Sequence, residues 1–297
     1  MGMFERYENE GHTIFHGDAL NILSSEIKSE SIDIVFIDPP YNIGKKFSNF
    51  HDKWESDEKY TKWAYKLLDE CIRVLKPNGT LYVMTSTQAM PYFDLYLRDK
   101  IAILSRIVWH YDSSGVQATK YFGSLYEPIL HCVKDRKSYI FNSNDIKIEA
   151  KTGAKRKLID YRKATPSHYN TEKVPGNVWY FPRVRYQMKE YENHPSQKPE
   201  SLLERIILAS SDEGCLILDP FAGTFTSGAV AKRLGRFSIS IESQEEYLKI
   251  GLRRVLGWQE YRGEKLLCPQ KTNTKINRNG QKPEILQENF LNVDSTA

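Results

Sequence analysis

The segment from about residue 13 to residue 110 alternates short apolar runs of strand length with stretches of helical periodicity. Ile32–Ile37 is apolar at every position except Asp33, and Glu58–Leu75 gathers its apolar residues on one helical stripe. Strands of this buried type between helices predict a parallel sheet with helices on both faces. The alternation resumes at about residue 199 and continues to about residue 256. The predicted helices are Asp18–Ile27, Glu58–Leu75, Gln88–Leu97, Pro199–Ser210, Thr226–Leu234 and Glu245–Leu256, and the predicted strands are Thr13–His16, Ile32–Ile37, Leu81–Met84, Ile101–Trp109, Cys215–Leu218 and Phe237–Ile241.

The intervening segment, residues 112–193, lacks clean periodicity and carries the positive excess of the chain. It contains 15 Lys or Arg and 9 Asp or Glu, whereas the rest of the chain contains 27 basic and 29 acidic residues. A basic region on a near-neutral scaffold favours binding to a polyanion such as nucleic acid. A solvent-exposed lysine-rich loop has the same composition, so charge alone leaves both interpretations open.

Composition argues against several other classes of protein. Of the 297 residues, 40% are hydrophobic and 27% charged, as in a soluble globular protein with a sizeable core. No uncharged stretch suits a transmembrane helix, and the N-terminus lacks the apolar core of a signal peptide. The four cysteines are far apart without CxxC spacing, which argues against structural zinc and predicts a reducing cytosol. His12 and His16 lie around a strand rather than on one helix face, so no metal site is predicted.

The tetrapeptide Asp38-Pro39-Pro40-Tyr41 directly follows the predicted strand Ile32–Ile37. It therefore lies at the carboxyl end of a strand, where open α/β sheets bind their ligands. The two prolines fix φ and remove two backbone donors, which leaves a rigid turn that offers the Asp38 carboxylate and a carbonyl as acceptors. Such a turn can hold both hydrogens of an exocyclic amino group while Tyr41 stacks on the ring that bears it. A simple Pro-Pro turn at the end of a strand is the alternative.

A second turn, Asp219–Thr224, joins the strand Cys215–Leu218 to the next predicted helix. Its small residues allow a ligand to approach closely, but the Lys and Ser or Thr of a P-loop and the G-x-G-x-x-G dinucleotide fingerprint are absent. Glu242 ends the next strand, 23 residues after the start of this turn, where an acidic residue can accept both ribose hydroxyls. A nucleoside site without a phosphate grip predicts S-adenosylmethionine. Alternatively, Glu242 caps the helix that begins near Gln244.

Taken in order, these turns resemble the motifs of the site-specific DNA amino-methyltransferases, in the adenine-type group whose catalytic motif precedes the cofactor motif. The resemblance spans residues 18 to 242 and looks closest to the solitary bacterial adenine methyltransferases. The segments that carry it are Asp38-Pro39-Pro40-Tyr41-Asn42, His194-Pro195-Ser196-Gln197-Lys198-Pro199, Asp219-Pro220-Phe221-Ala222-Gly223 and Ile241-Glu242.

This resemblance implies an α/β fold, namely a circularly permuted seven-stranded Rossmann-like S-adenosylmethionine-dependent methyltransferase with an inserted target-recognition region. The strands Thr13–His16, Ile32–Ile37 and Cys215–Leu218 would be the third, fourth and first strands of that fold. The implied parts are residues 1–111 as the catalytic half, 112–193 as the target-recognition insert, 194–257 as the cofactor-binding half and 258–297 as a polar tail.

The resemblance also implies the site residues. The catalytic residues would be Asp38, Pro39, Pro40 and Tyr41. The residues expected to bind the cofactor are Asp18, Lys198, Ser201, Asp219, Phe221, Ala222, Gly223, Thr224, Thr226 and Glu242. Among these, Asp18 and Phe221 would contact the adenine of the cofactor, and Lys198 would lie near its methionine carboxylate. Phe225 departs from the family, which commonly has glycine there, and is expected to narrow the cofactor pocket or alter the path of the loop.

The implied reaction is transfer of the methyl group of S-adenosylmethionine to N6 of adenine in double-stranded DNA, after the target nucleotide is flipped out of the helix. Direct in-line transfer needs no covalent intermediate. No cysteine follows a proline, which excludes the cytosine-C5 class as far as sequence can. In the family, Asp at position 38 usually accompanies adenine and Ser accompanies N4-cytosine. We expect the partner to be DNA, with no membrane and no metal, in the bacterial cytoplasm at the nucleoid, and the sequence allows a homodimer.

Residues 112–193 would then recognise the target, mostly through phosphate contacts. The residues expected to bind DNA are Lys151, Lys155, Arg156, Lys157, Arg162 and Lys163. We expect Trp179 to pack in the core, and His194 to be structural because methyl transfer to an amine needs no imidazole. A nuclease is a weaker alternative, based on Glu149-Ala150-Lys151 after Asp135 or Asp145. A catalytically silent DNA-binding protein, and RNA or N4-cytosine as substrate, also remain as alternatives.

Overall fold

The computed structural model describes residues 4–47, 50–111, 119–151 and 157–258. Its helices are α1 (Ala19–Glu26), α2 (Asp57–Val74), α3 (Met90–Arg98), α4 (Glu200–Ser210), α5 (Thr226–Arg233) and α6 (Glu245–Arg254). Its strands are β1 (Glu5–Asn9), β2 (His12–His16), β3 (Ile32–Ile37), β4 (Lys45–Phe47), β5 (Phe50–Asp52), β6 (Leu75–Met84), β7 (Ala102–His110), β8 (Tyr126–Val133), β9 (Ile148–Glu149), β10 (Ile159–Asp160), β11 (Ser167–His168), β12 (Glu172–Lys173), β13 (Val178–Tyr180), β14 (Leu216–Asp219) and β15 (Phe237–Glu242). None of the helices in these ranges is long and apolar enough to cross a membrane.

Within the described residues, nine strands form the central sheet, in the order β1-β2-β15-β14-β3-β6-β8-β7-β13. The strands β2, β15, β14, β3 and β6 are parallel, and β8 is antiparallel to both of its neighbours. The seven strands from β2 to β7 have the arrangement that the resemblance implies, with β14, β3 and β2 as its first, fourth and third strands. The two additional strands, β1 and β13, extend the sheet at its edges.

Two strands of this sheet come from the range that we assigned to the target-recognition insert. β8 is buried along its second half and lies between β6 and β7, and β13 pairs in parallel with β7. The sequence of β8, YEPILHCV, is apolar at most positions, but its surroundings have no clear periodicity. Residues 112–193 are therefore not wholly an insert in the structural sense, because the antiparallel strand β8 of the central sheet lies among them.

The strand β3 is buried at all six positions because both faces of the sheet are covered. Val35 and Ile37 face a core built with α1, α2 and α3, whereas Ile34 and Phe36 face a second core built with α4 and α5. Trp179 packs in the second core, as predicted. A third, smaller cluster joins α6 to β1 and β2.

The turn predicted after α2 is built into strand β6 as an irregularity. Ile32 of β3 pairs with Leu75, but Ile34 pairs with Thr80, so β6 carries extra residues between these two pairs. A Cβ atom on Gly79 would lie 2.8 Å from the Leu75 side chain and 3.0 Å from the Asp33 carbonyl oxygen. Glycine at this position thus allows the bulge to pack against β3.

The parallel strands bring their carboxyl ends to one edge of the sheet. At that edge Asp38 follows β3, Asp219 ends β14 and Glu242 ends β15, while Asp18 follows β2 by two residues. The edge is tied together by backbone hydrogen bonds, since Gly17 N donates to the Glu242 carbonyl at 3.0 Å. The fold therefore places acidic residues from distant parts of the sequence beside one another.

Candidate active site

A cavity of about 430 Å³ opens at the carboxyl edge of the sheet. Its walls come from both sequence halves and include the predicted catalytic turn and part of the predicted cofactor site. The predicted site residues that line it are Asp18, Asp38, Pro39, Pro40, Tyr41, Lys198, Phe221, Gly223 and Glu242. One continuous cavity thus joins the Asp38–Tyr41 turn and the Asp219–Thr224 turn, which lie far apart in the sequence.

The Asp38–Tyr41 turn, predicted to be catalytic, is fixed by a buried carboxylate that was not predicted from the sequence. Asp52 is 1% exposed and accepts hydrogen bonds from the backbone N–H groups of Tyr41 (3.1 Å) and Asn42 (2.6 Å). The Tyr60 hydroxyl donates to the Pro40 carbonyl oxygen at 3.0 Å. These bonds, together with the two prolines, fix the orientation of the turn.

Both oxygens of the Asp38 carboxylate have a donor. The Tyr41 hydroxyl donates to Oδ1, and the Lys198 ammonium lies 2.7 Å from Oδ2. Burial raises the pKa of Asp38, and the Lys198 cation opposes that shift. Burial alone would lower the pKa of Lys198, but Asp38 and Glu127 outweigh it, so the Lys198 pKa lies above its ordinary value. Lys198 therefore stays an ammonium ion inside the cavity.

Glu127 is the second carboxyl group of this cluster, and its place in the site was not predicted from the sequence. Its Oε2 atom lies 3.3 Å from Lys198 Nζ and accepts the Tyr41 hydroxyl at 3.2 Å. Glu127 lies near the start of β8, the strand hidden in the basic segment. An acidic residue just before an apolar run is the sequence feature that points to Glu127. Only the order of the strands in the sheet shows which site this residue lies in.

Glu242 lies at the centre of the part of the cavity that is expected to hold the cofactor. One carboxylate oxygen accepts Gly223 N–H and the other accepts Gln244 N–H, both at 2.8 Å. Burial raises the pKa of Glu242 to about 7. Glu242 thus fixes the Gly223 turn and accepts the N–H of Gln244, the residue before α6. The N-cap residue of α6 is Gln244 and no side chain caps this helix, so the alternative that Glu242 is a helix cap is wrong.

The residues in this half suit a nucleoside better than a phosphate ester. Asp18 and Glu242 present carboxylates, which accept hydroxyl or amino hydrogens and repel phosphate. Phe221 adds an aromatic face, held edge-on by Trp63 with ring centres 6.0 Å apart. Gly223 has a φ of 50°, and a Cβ atom there would lie 3.3 Å from the His194 ring. The chemistry of these side chains therefore fits S-adenosylmethionine.

The other residues predicted to bind the cofactor lie around or behind the surface formed by Asp18, Phe221, Gly223 and Glu242. Asp219, Ala222, Thr224 and Thr226 line an adjoining recess of about 30 Å³. Asp219 accepts from Phe221 N–H at 3.0 Å and from the Ser227 hydroxyl, and burial raises its pKa to about 7. Ser201 lies in the first turn of α4 and lines neither space. The ammonium of Lys198, which was predicted to lie near the methionine carboxylate of the cofactor, contacts the Asp38 carboxylate.

Phe225 does not narrow the main cavity. Its side chain is fully buried in the third core, and a Cβ atom on Gly251 would lie 2.5 Å from its ring. Its backbone is left-handed, with a φ of 58°. The departure from the family's glycine is accommodated behind the loop, where Gly251 of α6 leaves space for the ring.

His194 lines the cavity as a packed, neutral ring. It accepts Ser196 N–H at Nδ1 (3.2 Å) and lies edge-on to Tyr247, with ring centres 4.4 Å apart. Burial lowers the pKa of His194 to about 3. A ring held in this way supports the predicted structural role.

Four of the six predicted DNA-binding residues lie in the described ranges, and all four are exposed: Lys151, Lys157, Arg162 and Lys163. Lys155 and Arg156 lie outside those ranges, as do residues 259–297 of the predicted tail. Arg162 forms an ion pair with Asp160 at 2.8 Å and stacks over Tyr169.

In the described residues, no group of three or more His, Cys, Asp or Glu side chains could hold a metal ion.

Comparisons with known proteins agree with this geometry. Residues 32–253 match the family model N6_N4_Mtase, described as DNA methylase. The chain is 56% identical over 269 residues to the DNA adenine methyltransferase YhdJ of Escherichia coli (strain K12), covering 91% of each chain. It is 36% identical over 231 residues to the type II methyltransferase M.HpaI of Haemophilus parainfluenzae, covering 77% of this chain and 69% of that one.

Solved structures support the same fold. The cytosine-N4-specific PvuII DNA methyltransferase superposes with a TM-score of 0.64 at 17% identity, covering 85% of this chain and 89% of that one. The M1.HpyAVI-SAM complex superposes with a TM-score of 0.56 at 22% identity, covering 81% and 97%. The family predicted from the motifs is confirmed, and the chain belongs to the N6/N4 DNA methylase family.

Proposed function

We propose that this protein transfers the methyl group of S-adenosylmethionine to the N6 amino group of adenine in double-stranded DNA. The observation that carries the proposal is the single cavity that both the Asp38 carboxylate and the Glu242 carboxylate line. The 56% identity to a DNA adenine methyltransferase over 91% of the chain favours adenine as the target base.

The residues of the catalytic turn act by positioning. The Asp38 carboxylate and the Pro39 carbonyl are acceptors for the two hydrogens of the target amino group, and Tyr41 offers a ring to stack on the flipped base. Gripping both hydrogens directs the nitrogen lone pair toward the methyl donor. A rigid turn achieves this with little reorganisation, since Asp52 and the prolines already fix it.

Phe221, Glu242 and Asp18 would hold the nucleoside part of S-adenosylmethionine, which supplies an electrophilic methyl group on a sulfonium. The adenine nitrogen forms the new N–C bond, the C–S electron pair stays on sulfur, and one N6 proton is released. No residue of the chain needs to become covalently attached.

Residues 112–193 are proposed to recognise the DNA target, in addition to supplying β8 and β13 to the sheet. The exposed bases Lys151, Lys157, Arg162 and Lys163, with Lys155 and Arg156, would contact mainly phosphate. Residues 1–111 and 194–257 would supply the rest of the catalytic unit. A homodimer stays part of the proposal, and sedimentation with and without DNA would test it.

The test is methyl transfer from labelled S-adenosylmethionine to unmethylated bacterial DNA, with the product digested to nucleosides and identified by mass. N6-methyldeoxyadenosine is the expected product. N4-methylcytosine would keep the mechanism and overturn the target base. Transfer to RNA alone, or metal-dependent cleavage of DNA without transfer, would overturn the proposed activity.

The Asp38→Ala variant should abolish turnover and leave S-adenosylmethionine affinity largely intact, because Asp38 grips the target amine. Turnover is measured as radiolabel transferred, and affinity by calorimetry. The Asp69→Ala variant, which changes an exposed carboxylate on α2, is the matched control and should remain active. Methyl transfer at the wild-type rate by the Asp38→Ala variant would contradict the mechanism proposed for Asp38.

A further inference from the structure

The geometry around Asp38 raises a problem for the proposed reaction. The target amino group needs an acceptor site on the Asp38 carboxylate. In the structure Tyr41 donates to Oδ1 and the Lys198 ammonium lies 2.7 Å from Oδ2. Lys198 therefore competes with the base for acceptor sites on this carboxylate.

The same cluster contains a second acceptor for Lys198. Glu127 Oε2 lies 3.3 Å from Lys198 Nζ, so the ammonium already lies between two carboxylates at unequal distances. The Lys198 side chain is 9% exposed, and the Asp38 and Glu127 side chains are each 17% exposed, so water contributes little to the cluster. A short movement of Nζ toward Glu127 would release Asp38 and keep the cation paired.

Pairing of the cation throughout this movement is important for energetic reasons. An unpaired ammonium buried in a protein is strongly unfavourable, and movement between two carboxylates keeps the ammonium paired. The hydrogens of the target amino group would then replace Lys198 as donors to Asp38. Tyr41 can follow the same exchange, because its hydroxyl lies within reach of Glu127 Oε2 at 3.2 Å. Glu127 therefore offers an alternative acceptor to both donors that now contact Asp38.

We propose that Lys198 acts as a stand-in for the target amino group, contacting Asp38 in the base-free enzyme and shifting onto Glu127 when the base enters. Glu127 is then a positioning residue, because it acts through Lys198 and Tyr41 and need not contact the base. This inference rests on the proposed function, since it presumes that Asp38 receives an amino group.

The proposal predicts a specific defect for Glu127→Gln. A neutral amide holds an ammonium more weakly than a carboxylate, so Lys198 should remain on Asp38 and compete with the base. The value of kcat/KM for DNA should fall by about tenfold or more, the worth of one charge-assisted hydrogen bond. The affinity for S-adenosylmethionine should not change. The matched control is Glu204→Gln on α4, which loses a surface pair with Arg233.

The decisive measurement is a double-mutant cycle with Lys198→Met. Without the Lys198 ammonium, no cation competes with the base for Asp38, and Glu127 is not needed to bind one. The loss of kcat/KM caused by Glu127→Gln should therefore be much smaller in the Lys198→Met background. Equal costs in both backgrounds would overturn the proposal. So would a wild-type kcat/KM in Glu127→Gln, or a Lys198→Met variant whose only defect is weak S-adenosylmethionine binding.

Two readouts keep this test separate from the proposed function and from folding. Failure of the wild-type protein to methylate adenine would reject the proposed function itself, whereas an active wild type with an additive cycle rejects only the exchange. Thermal unfolding of each variant reports its folding. If Glu127→Gln unfolds early, Glu127→Asp repeats the cycle with the charge kept and the reach shortened, and it should show a smaller defect of the same kind.

Discussion

Three carboxyl groups at the carboxyl edge of the sheet lie in three different environments. Asp38 lies against a cation, Asp219 accepts from a hydroxyl and a backbone N–H, and Glu242 accepts from two backbone N–H groups. Burial raises the pKa of each. Of these, only Asp38 has an ammonium group beside it in the base-free structure, and that cation favours the ionised form of the carboxyl group.

At the residue scale, the raised pKa of Glu242 predicts pH-dependent cofactor binding. A carboxyl group with a pKa of about 7 is roughly one tenth ionised at pH 6 and nine tenths at pH 8, and the ionised form is the stronger acceptor for ribose hydroxyls. Affinity for S-adenosylmethionine should therefore rise with pH through this window, by up to about tenfold. Calorimetry from pH 6 to pH 8 measures it.

The controls for that experiment use the neighbouring acid. Glu242→Gln should flatten the pH dependence. Asp219→Asn should keep a pH dependence but move it to lower pH, because Asp219 faces the adjoining recess and its charge helps to raise the pKa of Glu242. A pH dependence that survives Glu242→Gln unchanged would show that another group titrates.

At the element scale, the helices α5 and α6 are coupled by one large and one small residue. Phe225 precedes α5 with a left-handed backbone, and its ring fills the space above Gly251 of α6. A non-glycine residue with positive φ is strained, and the burial of the phenyl ring offsets that cost. The loop that carries Gly223 therefore depends on a contact made outside the cavity.

This contact predicts that Gly251→Ala will destabilise the protein. The added Cβ would lie 2.5 Å from the Phe225 ring, and overpacking of this kind costs about 1–3 kcal/mol in free energy of unfolding. Denaturant unfolding measures the cost, which should shrink when Phe225→Leu is present. Gly176→Ala is the control, since a Cβ there meets nothing within 4 Å, and it should be nearly neutral. Equal stability of the two alanine variants would contradict the expected clash.

The predictability of the elements follows from the same physics. Long amphipathic helices such as α2 and fully buried strands such as β3 were predicted within about two residues of their bounds, since periodicity and turn residues act locally. The strand β1 was missed because its sequence, ERYEN, has one buried residue, Tyr7. It forms only as a hairpin partner of β2, which local patterning does not reveal.

At the scale of the whole molecule, the basic excess of residues 112–193 predicts the salt dependence of DNA binding. Replacement of Lys155, Arg156 and Lys157 with Gln should weaken binding and flatten the plot of log affinity against log salt, by about one unit of slope for each lost phosphate contact. Fluorescence anisotropy across a salt series measures the slope.

Three exposed lysines outside the predicted DNA-binding set provide the matched control: Lys28, Lys62 and Lys66. Their replacement with Gln changes the net charge equally and should leave the slope nearly unchanged. If both triple variants have the same slope as the wild type, the basic cluster is an exposed loop without a role in binding.

The sequence by itself determined the class of fold and the family, because these depend on local periodicity and on short motifs whose order is visible in one chain. It also predicted that the turn Asp38–Tyr41 lies at the carboxyl end of a strand, where the cavity opens. Only the tertiary structure decided which side chains share the site. Glu127 shares Tyr41 as a hydrogen-bond donor with Asp38 because β8 inserts between β6 and β7. Lys198 contacts both carboxyl groups because the pairing of β14 with β3 brings the second half of the chain beside the first. Those contacts depend on strand order, and strand order is a property of long-range pairing rather than of any local stretch of sequence.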